Sequence, residues 1–200
     1  MSGSKDAAVL FTLTDIDVGS RLVEALVQHA KSTGGKPIAY EDLLTMGRSM
    51  YPKDATLGRE VPVGIGVKLA FVRGFCKASA LPDLACLAVN KATMRPGPGY
   101  KGDWEAERRA VASFDWSSAN PRLVTYAGEM RAAIPKRLKP RKERPADVAW
   151  YAYFCSHRPA CAQVAEDDKK EIINLLMAGL DPETALQRVL AAKAELGELS

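Results

Sequence analysis

The chain has 200 residues, of which 47% are hydrophobic and 26% are charged. A chain of this size and composition buries enough apolar surface to fold without disulfides or a structural metal. We find no secretory signal and no apolar run near the ~20 residues that cross a bilayer, so we expect a soluble cytoplasmic protein without a membrane partner. The four cysteines, Cys76, Cys86, Cys155 and Cys161, are then expected to be reduced thiols.

The net charge of +4 is unevenly distributed. Residues 119–145 contain eight basic and two acidic side chains, whereas residues 146–200 contain five basic and nine acidic ones. The positive charge is therefore concentrated in the middle of the chain, and the C-terminal quarter is acidic.

The first half is predicted to be helical with one short β element. Apolar spacing and cap signals predict a helix from about Asp17 to Gly34, an extended piece at 36–39 and a second helix from Tyr40. A longer helix is predicted over residues 63–79. The apolar run "LACLAVN" at 84–90 is predicted to be a strand.

The second half is predicted to be helical apart from two irregular segments. These are a loop rich in Gly and Pro at 91–103 and a basic, proline-rich linker or arm at 135–145. Helices are predicted at 104–114, 120–134, 146–158, 166–179 and 181–196. The sequence therefore predicts a mainly α fold with a small β element. It divides into a winged-helix-like module at 15–118, a helix and basic linker at 119–145, and a C-terminal helical region at 146–200.

Three glycines in the 91–103 loop, Gly97, Gly99 and Gly102, have the G-x-G-x-x-G spacing of a dinucleotide-binding turn. That turn needs its first glycine directly after a strand and backbone N–H groups facing the phosphates. Here the predicted strand closes at Asn90, and Pro98 lacks an N–H donor. We therefore predict no bound cofactor. The loop is either the basic wing of a winged helix, with Lys91, Arg95 and Lys101, or an ordinary solvated loop.

Three stretches, "AYEDLL", "LPDLACLAVNKATMRPGPGY" and "FDW", resemble an uncharacterised bacterial and mobile-element family. Its pattern includes L-P-x-L-x-x-L-x-V-N-x-x-T-x-x-P-G-x-G. The match covers about residues 38–117 and implies a module boundary rather than an activity.

The same segment resembles, more distantly, the DNA-binding domain of alkylguanine-DNA alkyltransferases and alkyltransferase-like proteins. Residues 85–89 would fall on the P-C-H-R-V motif and residues 99–102 on the glycine-rich wing. Leu87 replaces the histidine that activates the thiol, and Ala88 replaces the arginine that enters the duplex. The resemblance thus implies a DNA-binding fold without alkyl transfer, with Cys86 as an inert buried thiol.

A winged-helix interpretation assigns DNA contacts to three groups of cations. The helix at 63–79 would be the recognition helix, the loop would contact phosphates, and the basic arm would add affinity independent of sequence. A solvated linker remains the alternative for the arm. The predicted nucleic-acid-binding residues are Lys68, Arg73, Lys77, Lys91, Arg95, Lys101, Arg137, Lys139, Arg141 and Lys142.

Other constellations are weaker candidates. Cys155, His157 and Cys161 form only half of a zinc motif, and a buried helix containing two cysteines explains them better. The acidic residues Asp83, Asp103, Glu105, Glu107 and Asp115 could bind Mg²⁺, but the solvated start of a helix explains them more simply. The aromatic residues Trp150, Tyr151, Tyr153 and Phe154 are expected in the core or between copies of the chain. The absence of interleaved basic residues disfavours their stacking on bases.

The first hypothesis is therefore a non-enzymatic DNA-binding protein, with no cofactor or metal. The alternative is a protein-interaction factor, an inhibitor or adaptor from a phage or plasmid, acting through the C-terminal helices and the aromatic residues or as a homodimer through 146–200. A nucleic-acid-processing enzyme is the third hypothesis.

Overall fold

The computed structural model describes residues 10–98 and 100–196. Within these residues the fold is mainly α with a small β element, which confirms the predicted class. The helices are α1 Leu13–Thr33, α2 Tyr40–Met50, α3 Ala55–Arg59, α4 Ile65–Ala78, α5 Trp104–Ser113, α6 Ala119–Ala132, α7 Glu143–Ser156, α8 Glu166–Met177 and α9 Pro182–Leu196. The strands are β1 Ile38–Ala39 and β2 Ala88–Val89. None of these helices is both long enough and apolar enough to span a bilayer.

Side-chain caps set several helix boundaries. Helix α1 begins four residues earlier than the predicted start at Asp17, because Thr12 and Asp15 form a reciprocal capping box. The Asp103 carboxylate accepts the Ala106 N–H at 3.0 Å and begins α5. Asp181 accepts the Thr184 N–H at 2.9 Å at the start of α9.

The predicted strand at 84–90 is wrong in its first half. Asp83 accepts the Ala85 N–H at 3.0 Å and begins a 3₁₀ turn, Leu84–Leu87. Only Ala88–Val89 is extended, and it pairs in parallel with β1, with Ile38 opposite Ala88 and Ala39 opposite Val89. Asn90 and Arg95 then form one antiparallel bridge that closes a tight turn.

Two hydrophobic cores organise the described residues. The first is formed mainly by α1, α2, α4 and α6, with Phe71 and Phe75 of α4 packed against Tyr126 of α6. The second is formed by α7, α8 and α9, and it also takes Val61 and Val63 from the turn before α4. The chain crosses from one core to the other through residues 133–142, so the predicted basic linker lies beside both.

Candidate nucleic-acid interface

Helix α4, the predicted recognition helix, presents two of its three predicted cations to solvent. Arg73 and Lys77 are exposed. Lys68 is only 1% exposed, so the prediction that it contacts DNA from the surface is wrong. Its aliphatic stem packs in the interior, and its ammonium group is held by carboxylates from distant parts of the chain.

The Lys68 ammonium lies between three buried carboxylates. Its Nζ is 2.9 Å from Glu171 Oε1, 3.0 Å from Glu60 Oε2 and 3.6 Å from Asp15 Oδ1. The second Asp15 oxygen accepts a hydrogen bond from Arg188 at 2.6 Å. These five residues, here called the charge cluster, join α1, the turn before α4, α4, α8 and α9, and so connect the two cores. Charges this deeply buried are tolerated only when they are paired.

Glu60 is the least well satisfied member of the charge cluster. Among the described residues, neither of its carboxyl oxygens has a partner in hydrogen-bonding geometry, although one oxygen is close to Lys68. Burial raises the pKa of Glu60 to about 8; Lys68 opposes this shift, and Glu171 and Asp15 add to it. Burial alone would also raise the pKa of Asp15, but Lys68 and Arg188 hold it below its ordinary value. The surroundings thus favour the protonated form of Glu60 and the ionised form of Asp15.

Part of the outward side of α4 faces a cleft. Gly66, Leu69, Ala70 and Arg73 line this cleft of about 220 Å³. The last turns of α9 form its opposite wall through Ala192, Glu195 and Leu196. A DNA groove could not reach most of this part of α4 without displacing α9.

The loop that was predicted to be a wing folds back onto the protein. In its described part, residues 91–98 and 100–103, Gly97 donates its N–H to the Tyr40 hydroxyl at 3.3 Å. A side chain at Gly97 would meet the Glu195 carbonyl oxygen at 2.7 Å, so backbone and α9 are in direct contact. Residues 96, 97 and 100 therefore line the cleft, while residues 91–95, 98 and 101–103 of the loop are exposed.

The exposed cations of the loop and of α4 differ in whether a carboxylate pairs with them. Lys91 pairs with Glu41 at 3.0 Å, and Arg73 pairs with Asp83 at 3.0 Å. The Arg95 guanidinium lies 5.9 Å from the centre of the Trp104 ring. Lys101, like Lys77 on α4, is exposed, and neither has a carboxylate within 4 Å among the described residues. The positive charges on this side of the protein are therefore scattered, and some of them are already paired with carboxylates.

The basic segment at 135–145 has a higher density of cations than the loop and α4, and it contacts the second core. Its six cations are exposed and, in the described part of the chain, have no carboxylate in ion-pair range: Lys136, Arg137, Lys139, Arg141, Lys142 and Arg144. The Arg141 N–H donates to the Met177 carbonyl at 2.7 Å, and Leu138 packs on the second core. We call these six residues the basic ridge. The ridge contains the four arm residues predicted from sequence; Lys136 and Arg144 belong to the same run.

The thiols and the acidic residues have structural roles. Cys86 is fully buried, and burial raises the pKa of its thiol to about 12, as expected for an inert thiol. The expected buried helix with two cysteines is wrong, because Cys155 in α7 is exposed and Cys161, which is buried, lies beyond the end of that helix. No group of three or more metal-ligating side chains occurs in the residues described. Asp83, Asp103 and Asp115 each cap the turn or helix that follows them.

Comparisons with protein-family models, curated proteins and solved structures gave no match for this chain. The two resemblances noted from sequence motifs therefore stay predictions.

Replacing Glu60 by Gln tests the proton held in the charge cluster. Because the pKa of Glu60 is raised in the folded state, the folded chain keeps a proton that the unfolded chain has released between about pH 4.5 and 8. The stabilisation from Glu60 is complete below that window and lost as pH rises through it. We expect the wild type to lose roughly 3–4 kcal/mol of unfolding free energy from this group between pH 5 and pH 8, since one pKa unit corresponds to about 1.4 kcal/mol. Urea denaturation at pH 5 and pH 8 should find a smaller loss in E60Q. A matched change at an exposed position, Glu129→Gln, should leave the wild-type slope intact, and an equal slope in E60Q would contradict the assignment.

Lys68→Met should destabilise the fold by about 3–5 kcal/mol, because it leaves buried carboxylates without their cation. Lys77→Met, on the exposed side of the same helix, should change the unfolding free energy by no more than about 0.5 kcal/mol. Denaturant titration of both variants measures the difference. Equal stability of the two would mean that Lys68 is not buried as described.

Gly179→Ala should loosen the basic ridge from the second core. Gly179 has φ +102°, and a methyl group there would lie 2.8 Å from the Lys139 backbone nitrogen. We expect a loss of about 2 kcal/mol from backbone strain and the clash together. Gly128→Ala is the control, because that position in α6 has open space and should gain up to about 1 kcal/mol. Thermal and urea denaturation check both, and a neutral Gly179→Ala would argue against the close contact.

Proposed function

We propose that the protein binds nucleic acid, without catalysing a reaction on it, and that the basic ridge makes the principal phosphate contacts. The observation that carries this proposal is the concentration of six exposed cations, free of carboxylate partners within the described residues, on a backbone anchored to the second core. Lysine and arginine side chains neutralise phosphates and release counterions, which supplies most of the affinity of non-specific binding.

Anchoring favours this role over that of a free linker. The contacts of Leu138 and of the Arg141 N–H tie the segment to the second core at two points before a ligand arrives. Less conformational entropy is then lost on binding than for a flexible arm.

The N-terminal module would contribute secondary contacts in this proposal. Lys77, Arg95 and Lys101 are exposed and could meet phosphates, while Arg73 and Lys91 are already paired with carboxylates. The cleft walled by α9 argues against deep insertion of α4 into a groove. We therefore expect binding with little dependence on base sequence.

A protein-binding role for the C-terminal region is the second candidate. Val148 and Tyr151 of α7 are 61% and 69% exposed, which is unusual for large apolar and aromatic side chains on one helix face. Sedimentation of the purified protein would detect self-association, and a concentration-dependent dimer would favour this candidate.

Neutralising the basic ridge tests the proposed function. The variant R137Q/K139Q/R141Q/K142Q should weaken binding to labelled DNA and reduce the slope of log K against log salt by about 3–4, because each lost phosphate contact removes about 0.9. Fluorescence anisotropy between about 50 and 200 mM salt measures both quantities.

The control removes the same number of exposed charges elsewhere. The variant K31Q/K36Q/K53Q/R109Q leaves the ridge intact and should retain most of the wild-type slope. An equal loss of slope in the two variants would assign binding to net charge and not to the ridge. Absence of wild-type binding at low salt would reject the proposal.

A further inference from the structure

Helix α7 carries an exposed face that the core does not use. Arg144, Val148, Tyr151 and Cys155 recur every three or four residues and therefore lie on one side of the helix. All four are exposed, with Tyr151 at 69%. Phe154, beside this face, is 36% exposed. The exposed face is about three helical turns long, roughly 16 Å. It presents a tyrosine and neighbouring apolar groups to solvent.

The opposite side of α7 fixes this face in space. Ala146 and Trp150 are buried in the second core. Trp150 stacks on Tyr153 with ring centres 6.0 Å apart, and Tyr153 stacks on His157 at 4.1 Å. The exposed ring of Tyr151 therefore sits on a helix whose rotation is set by packing.

The exposed face is continuous with the basic ridge. Lys142 immediately precedes α7, and Arg144 belongs both to the ridge and to the α7 face. Arg158, also exposed, follows the end of the helix. Of the acidic residues on α7, Glu143 is paired with Arg59 at 3.2 Å. Asp147 is exposed and lies one turn before Tyr151, toward the edge of the face. Tyr151 therefore has one carboxylate a turn away, while the cations begin with Arg144 two turns away and continue along the ridge.

We propose that the α7 face and the basic ridge together form a binding site for single-stranded nucleic acid, in which unpaired bases stack on Tyr151 while the ridge holds the phosphates. This inference rests on the proposed function and specifies the form of its ligand. Exposed aromatic rings next to a row of cations are the usual means of binding a single strand, because every base has a face that can stack. In a duplex the bases are already stacked on one another and cannot reach an outward ring. An apolar protein partner would leave the adjacent cations without counter-charges.

Residues 150–154 contain no basic residue, and for that reason the sequence pattern disfavours stacking on bases. On the folded helix Asp147 lies one turn from Tyr151, and Arg144 lies two turns away on the same face. Helical periodicity, applied beyond the aromatic cluster, is the signal that reveals this arrangement.

Replacement of Tyr151 provides the test. Anisotropy titrations would use a labelled oligothymidine strand and a labelled duplex of equal length with wild type, Tyr151→Ala, Tyr151→Phe and the ridge variant R137Q/K139Q/R141Q/K142Q. We expect Y151A to weaken single-strand binding about tenfold while duplex affinity changes less than about twofold, and Y151F to retain binding because the ring is kept. Val124→Ala is the matched control, since Val124 is 73% exposed on α6 and outside the ridge. Circular dichroism verifies that each variant is folded.

The possible outcomes separate this inference from the proposed function. If the wild type binds neither form of DNA, both are rejected. If the ridge variant loses binding but Y151A binds a single strand as the wild type does, the nucleic-acid function stands and the stacking site is rejected. An equal loss for single strand and duplex in Y151A, or a dimer that Y151A dissociates in sedimentation, likewise overturns the stacking site. Photocrosslinking of a bromouracil strand to Tyr151 in the wild type would support it directly.

Discussion

The ammonium group of Lys68 holds the two halves of this protein in one arrangement. Its carboxylate neighbours come from α1, from the turn before α4 and from α8, and Arg188 adds a contact from α9. Desolvating these charges is costly, and only their mutual pairing offsets the cost. The relative placement of the two cores, and with it the positions of the cleft and the basic ridge, depends on this pairing. The raised pKa of Glu60 favours its neutral form, which limits the excess of negative charge around Lys68.

The local structure was largely predictable from the sequence. Apolar spacing located the helices, and residues such as Asp103 and Asp181 marked their starts because a carboxylate that accepts a helix N–H acts over three residues. The same local rule explains the error at 84–90, where the Asp83 cap begins a turn within an apolar run that resembles a strand. The apolar pattern does not distinguish a 3₁₀ turn from a strand here, since both structures bury the same side chains.

The environment of single cations was not predictable. Lys68 and Lys77 both lie on α4, and both were expected on its solvated side. Lys68 is nevertheless buried, whereas Lys77 is exposed. The difference arises from Glu171, which is 103 residues from Lys68 in the chain. Likewise, a proline-rich basic run reads as a free linker, and only the contacts with Met177 and Gly179 reveal that it is fixed. Both cases depend on long-range packing, which a single sequence does not specify.

The parallel pairing of Ile38–Ala39 with Ala88–Val89 has a consequence for the order of folding. This two-residue ladder closes a loop of about 50 residues, and the entropy of such closure grows only with the logarithm of loop length. Lengthening the loop between the two strands would therefore add little to that cost, and both strands pack in the first core. Glu171 reaches Lys68 across 103 residues, so burial of that ammonium group is complete only once α8 has docked on α4.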